Sequence, residues 1–239
     1  ELEGGEGERA EMGRLVARRI VGRHLLTMAR IGIDYDLLTH ESDILHLGFW
    51  QRAFEILRDA GAIRLEGEGK NKGCWVMSLA DSPEFADMDD PDKILVRSNG
   101  TVTYTGKDIA YQLWKLGLLL DNDGSRHDFG YRIFAHWQQP GPALPVIYGD
   151  SPEPLVRTTS DNSQVVEGHS FGAGNRVYNV IDVRQSYPQK VAKEAVRALG
   201  HAHAADNRFI FRKNRYKIRF NITGSAAGYG SVFPFEMRR

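Results

Sequence analysis

The 239-residue chain contains one cysteine. Cys74 therefore has no internal disulfide partner, and cysteine-based zinc motifs are excluded. In the run "CWVMSL" it reads as a small hydrophobe in a strand, and so sparse a use of cysteine suits a reducing, cytoplasmic compartment. No apolar run approaches the ~20 residues that span a bilayer, so no membrane is expected as a partner. The opening "ELEGGEGERAE" is acidic and polar and does not resemble a secretory leader. Internal repeats and low-complexity segments are absent. The eight histidines show no metal-ligand spacing; "HAH" (His201, His203) lacks partners and reads as surface. "GHSFGAGN" is glycine-rich but stands outside the strand–loop–helix order of a phosphate loop, so it reads as an ordinary loop.

Net charge is also lacking, with 31 Lys/Arg against 31 Asp/Glu. The balance hides an asymmetry. Residues 207–239 carry 8 basic residues and 1 acidic one, which leaves residues 1–206 with a net charge of −7. A basic tail on an acidic body fits either a nucleic-acid-binding arm or a segment foreign to the fold.

What is present is a soluble-protein composition, 41% hydrophobic and 26% charged, long enough for one large domain or two small ones. Residues 8–30 space Met12, Leu15, Val16, Ile20 and Leu26 as a helical stripe. Arg14, Arg18, Arg19 and Arg23 lie off it, as a solvated face or, more sharply, an RNA-facing one. "IGIDYDLLTHESDIL" reads as a connection. Ser42 is the expected N-cap of the next helix, with Asp43 in its first turn, and that helix should run to a stop at Gly61. This also gives "HES" (His40–Ser42) with Asp36 a simpler meaning than acid/base chemistry. "AIRLEGEGKNKGCWVMSL" predicts one hairpin and "KILVRSNGTVTYT" another, around Asn-Gly. A helix follows at "KDIAYQLWKLG". Residues 121–147 and "EPLVRTTSDNSQVVEGHSFGAGN" read as loops, "RVYNVIDV" as a buried parallel strand, and "YPQKVAKEAVRALG" as a helix ending at Gly200.

Strand–helix–loop–strand–helix is the order of a parallel α/β sheet. Ligands bind such sheets beyond the carboxyl ends of the strands. Two segments are expected there: Tyr104–Asp108 and Asp182–Gln185. A carboxylate early in a helix can simply complement the helix dipole. Paired with a phenol, Asp108 is also suited to a planar cation, since a carboxylate binds a guanidinium through two parallel charge-assisted hydrogen bonds and Tyr104 can donate, accept or stack. The amide of Gln185 suits an ammonium or carboxylate group. Together they would fit a free amino acid with a basic side chain.

"LVRSNGTVTYTGKDIAYQLWK", "YNVIDVRQSYPQKVAKEAVRALG" and "IGIDYDLLTHESDIL" together resemble the catalytic domain of the arginyl-tRNA synthetases, over about residues 8–206. The resemblance implies a class I synthetase, which activates L-arginine with ATP, with Mg2+ accompanying the nucleotide, and transfers it to tRNA(Arg). It implies that Tyr104 and Asp108 hold the guanidinium and that Gln185 contacts the head group. The expected fold is α/β, an incomplete Rossmann-type catalytic domain (its second half) with an α+β connecting insertion. Residues 1–92 would form the helical and hairpin insertion, 93–206 the second half of the nucleotide-binding fold, and 207–239 a basic tail, frame-slipped or disordered. The family's "HIGH" and "KMSK" phosphate-handling motifs are missing, and Pro188 replaces a histidine that often follows "RQ". An internal fragment, inactive alone, is the expectation. The alternative is a non-catalytic paralogue that binds arginine or RNA.

Overall fold

The computed structural model describes residues 7–30, 33, 35–80, 82, 85, 91–134, 155–161, 163, 165–180 and 186–206, with strand backbone at 219–220, 222–224 and 233–236. Helix α1 (Glu8–Arg30) has the bounds its periodicity predicts. Strand β1 (Leu37–His40) then runs straight into α2 (Glu41–His46). Ser42 is not the cap. His40 takes the N-cap position and makes no side-chain cap bond. A neighbouring strand does that work: the Thr158 hydroxyl accepts from the His40 backbone N–H at 2.9 Å and donates to the Asp43 carboxylate at 2.7 Å. The expected single helix is two, because Gly48 turns left-handed (φ +72°) between α2 and α3 (Phe49–Asp59). Only glycine adopts that conformation at low cost.

The first predicted hairpin is present: β2 (Arg64–Leu65) pairs antiparallel with β3 (Trp75–Ser78), and Cys74 is buried one residue before β3. β4 (Asp92–Val96) extends this sheet antiparallel. The second hairpin is nearly all turn. Its return strand reduces to one bridge, Val102 to Val96. Thr103 then turns its hydroxyl back onto the Ile94 and Leu95 carbonyls, and α4 (Tyr104–Lys115) begins. Tyr104 is therefore a helical residue rather than a strand residue.

The parallel pairing lies elsewhere than expected. β5 (Gly130–Ile133) and β6 (Val156–Thr159) come from stretches that read as loop, and with β1 they form a sheet in the order β5-β6-β1-β9. β1 is parallel to β6 and to β9 (Ile222–Gly224). β6 is short and polar on one side, as "VRTT", so it carries little of the apolar signature of a buried strand. β7 (Tyr178–Val180), expected to be parallel, pairs antiparallel with β10 (Phe233–Glu236), which also pairs with β8 (Arg219–Phe220). The tail, whose sequence shows no regular period, thus supplies three short strands. α5 (Ser186–Ala198) and α6 (Ala202–Ala205) follow β7 in the chain, separated by Gly200 at φ +85°.

The main core gathers around α4. Phe49, Leu57, Leu95, Ile109, Leu113 and Trp114 are each no more than 1% exposed. Trp114 stacks on Tyr111 (5.4 Å between ring centroids, 8° between planes) and meets Phe129 edge-on. The "GHSFGAGN" loop closes the far end of α4. The backbone N–H of Gly174 donates to the Lys115 carbonyl at 2.8 Å, and a side chain at Gly172 would lie 2.9 Å from the Trp114 carbonyl. That loop thus caps a helix. Close packing also explains Gly106, inside α4: a Cβ there would stand 2.9 Å from the Trp50 ring and 3.0 Å from Val102. Gly106→Ala is expected to destabilise the protein by about 1–3 kcal/mol through overpacking, although alanine is the better helix former. Chemical denaturation measures it, and a stabilised variant would contradict the packing account.

Candidate functional site

Tyr104, Asp108, Tyr111 and Lys115 recur at i, i+4, i+7 and i+11, so α4 presents them as one stripe. The surrounding elements hold that stripe at named points. The Tyr111 hydroxyl bonds Thr39 of β1 at 2.7 Å, in the interior. The Lys115 ammonium is buried, 2.9 Å from Asn179 Oδ1 of β7 and 4.3 Å above the Tyr111 ring. Asn179 in turn donates to Gln112 Oε1 at 3.1 Å and to Gln189 Oε1 of α5. One turn before Tyr111, Lys107 reaches the Glu41 carboxylate of α2 at 3.2 Å, with its ammonium 5.4 Å above the Tyr104 ring.

Tyr104 and Asp108 are thus brought together, one turn apart on one helix face, and they differ in setting. The Tyr104 side chain is exposed, 66%, so the phenol is not a packing residue. Asp108 is half-buried and has no hydrogen-bond partner among the described residues. Burial pushes its carboxyl up to about 6. Lys115 and Lys107 oppose that rise and Glu41 adds to it. A shielded carboxylate of this kind gains most from a cation that brings its own donors. Gln185 and Asp182 lie outside the described residues.

The sequence reading missed Glu41, Lys107, Lys115 and Asn179. Glu41 stood in the quoted "HES", but only the fold carries it to α4. Lys115 had a signal: it is seven residues from Asp108, two turns along the same face. A groove of about 350 Å³, its open mouth included, lies between α4, β7, α5 and α6, bordered by Gln112, Asn179, Gln189 and Lys193. It adjoins the Lys115 end of the stripe and does not reach Asp108. His40 is held neutral at neutral pH, because burial, then Arg157, lower its pKa to about 4. His201 and His203 are exposed, as expected. Among the described residues no group of three or more His, Cys, Asp or Glu side chains could hold a metal ion.

The scaffold that carries this carboxylate and phenol is α/β, and similarity to known proteins relates the chain to the aminoacyl-tRNA synthetases. No family model matches the chain. Curated relatives are arginine–tRNA ligases, and the chain is homologous to arginyl-tRNA synthetases over most of its length. It is 37% identical to the ligase of Thermococcus kodakarensis over 206 residues, 86% of this chain and 28% of that protein. With the ligase of Pyrococcus abyssi it shares 37% identity over 82% of this chain and 27% of that protein. The solved arginyl-tRNA synthetase of Thermus thermophilus superposes with a TM-score of 0.60 at 31% identity, covering 86% of this chain and 29% of that structure. The chain therefore spans between a quarter and a third of the length of the relatives it matches.

Proposed function

We propose that the chain is the arginine-recognising segment of an arginyl-tRNA synthetase, an internal part of the catalytic domain that includes the second half of its Rossmann-type fold. In the complete enzyme the reaction is the ATP-dependent activation of L-arginine and its transfer to tRNA(Arg), in the cytoplasm. The observation that carries the reading is the half-buried Asp108 carboxylate, without a hydrogen-bond partner among the described residues, one turn from the exposed Tyr104 ring. A guanidinium presented there would take two parallel hydrogen bonds from Asp108 and lie against the phenol. Glu41 supplies a second carboxylate, held by Lys107 in the free protein. Gln185 contacts the head group of the amino acid. ATP is a substrate, and Mg2+ accompanies the nucleotide. No described helix is long and apolar enough to cross a membrane. Residues 207–239 are a segment whose coding frame slipped near Asn207; reading the DNA in all three frames decides this, and no frame continuing the synthetase pattern would refute it.

Calorimetry with arginine, lysine and citrulline tests the pocket. Arginine should bind and the other two should not, because lysine lacks the fork and citrulline the charge. Equal binding of lysine would reject the reading. Without the "HIGH" and "KMSK" motifs, this chain alone should catalyse no arginine-dependent ATP–pyrophosphate exchange.

The pH dependence has a definite sign. A carboxyl raised to about 6 in the folded protein stabilises the fold below its unfolded value near 4, and that stabilisation is lost as pH rises through 6. Arginine binding runs the other way, because it needs the ionised form. Affinity should therefore be about tenfold lower at pH 5 than at pH 7.5. Titrations across this range check it, and a flat profile would mean that Asp108 does not face the ligand.

A further inference from the structure

Asp108 stands between two buried lysines of α4 and bonds neither. Lys115 and Lys107 both act on its carboxyl through charge, so both ammoniums lie within electrostatic reach of it. Each is held elsewhere. The Lys115 ammonium is 2.9 Å from Asn179 Oδ1 and 4.3 Å above the Tyr111 ring. Asn179 is itself fixed by its bonds to Gln112 and Gln189. The Lys107 ammonium is 3.2 Å from Glu41 Oε1 of α2. Asp108 has no hydrogen-bond partner among the described residues.

Lys107 is the lysine at the Tyr104 end of the stripe. Its ammonium lies 5.4 Å above the Tyr104 ring, three residues back along the helix. Helical side chains lean toward the N-terminus, over the turn before their own Cα. Asp108 therefore leans over the same turn, the one that begins at Tyr104. The ammonium and the carboxylate converge on that turn from neighbouring positions. The Lys107 side chain is 10% exposed and that of Glu41 is 23% exposed. Water does little for an ammonium so shielded, and it is stable there only beside a counter-charge. Glu41 provides one from a fixed position. The Thr158 hydroxyl grips the start of α2 on both sides of it, accepting from the His40 backbone N–H and donating to Asp43. This gives the glutamate of "HES" a use that the sequence pattern did not reveal.

We infer that Glu41 is a positioning residue: it holds the Lys107 ammonium off Asp108 and so keeps the guanidinium site open. Without it, Lys107 settles on Asp108 and occupies the place of the substrate cation. The inference rests on Asp108 being the arginine carboxylate; the contest between Glu41 and Asp108 for Lys107 is measurable without arginine.

Thermal melts of the full chain read that contest. D108N in the parent background should leave Tm unchanged or raise it. In the E41Q background D108N should lower Tm by about 2 °C or more, because Asp108 has become the partner of Lys107. The same response in both backgrounds overturns the inference. Calorimetry with arginine reads the consequence. E41Q should weaken binding about tenfold or more, the loss expected if Lys107 covers Asp108 for about nine-tenths of the time. E41Q/K107M should bind within about threefold of the parent, because the competing ammonium is gone. K107M alone should bind as well as the parent or better, and it carries the test if E41Q does not fold.

A merely structural ion pair has the opposite signature: K107M loses affinity as E41Q does, and the double variant is no better than E41Q. That result overturns the inference, and so does an E41Q protein that binds within about twofold of the parent. A parent that binds arginine beside an unaffected E41Q rejects the role of Glu41 alone. A parent that binds no arginine rejects the pocket, and with it the site that Glu41 would keep open.

Discussion

Asp108→Asn should abolish arginine binding, with a loss of about 100-fold or more. The substitution keeps the shape of the side chain and removes its charge. A guanidinium brought to a shielded site without a counter-charge loses its charge-assisted bonds and keeps its desolvation cost, which is worth about 2–5 kcal/mol in comparable pairs. Stability should not fall. Asp108 has no hydrogen-bond partner among the described residues, and burial disfavours its ionised form, as its upward shift to about 6 records. At pH 7 the asparagine variant should therefore melt at the same temperature as the parent or higher. Calorimetry and thermal melts on one preparation separate the two effects. A D108N protein that binds arginine as tightly as the parent would remove Asp108 from the site. One that melts much lower would show a structural carboxylate instead.

Trp114→Ala should produce the largest loss of stability. Trp114 is 1% exposed, stacked on Tyr111 and edge-on to Phe129. Its indole N–H donates to Asp128 at 2.7 Å, an oxygen that the Tyr131 hydroxyl also bonds. Truncating a buried tryptophan costs about 3–5 kcal/mol, a large part of the roughly 5–15 kcal/mol that holds a domain together. For a chain of this size that is a fall in Tm of about 6–20 °C. Trp114→Phe keeps much of the ring and loses the hydrogen bond, so its cost should be nearer 1–3 kcal/mol. The alanine variant should also bind arginine poorly, because Tyr111 and Asp108 share its helix. Denaturant titration measures both variants. A loss below about 1 kcal/mol for W114A would mean that the α4 core is not packed as described.

These two residues illustrate what could be read in the chain beforehand. The placement of Asp108 was legible because it is local: one turn from Tyr104 near the start of a helix, it follows from helical spacing alone. The extent of α1, the β2–β3 hairpin and the stop at Gly61 were legible for the same reason, since periodicity and turn residues act within a few positions. The Glu41–Lys107 pair was not legible, because its members are 66 residues apart and meet only when α2 packs on α4. Nor was β6. "VRTT" has neither the length nor the apolar run of a central strand, and it becomes one because β1 and β5 enclose it. Ser42 has the right chemistry for a cap and the wrong place. The strand before it carries the chain to Glu41, and Thr158 satisfies the exposed backbone N–H from outside.

By itself, the sequence determined the resemblance to the arginyl-tRNA synthetases and the placing of a carboxylate and a phenol one turn apart on a helix. It also determined most helices, whose hydrogen bonds close within four residues. Tertiary structure alone decided which strands run parallel and that Glu41 of α2 meets Lys107 of α4. Strand pairing and charge convergence depend on contacts between residues far apart in the chain, and no local pattern of side chains encodes which distant partner will arrive.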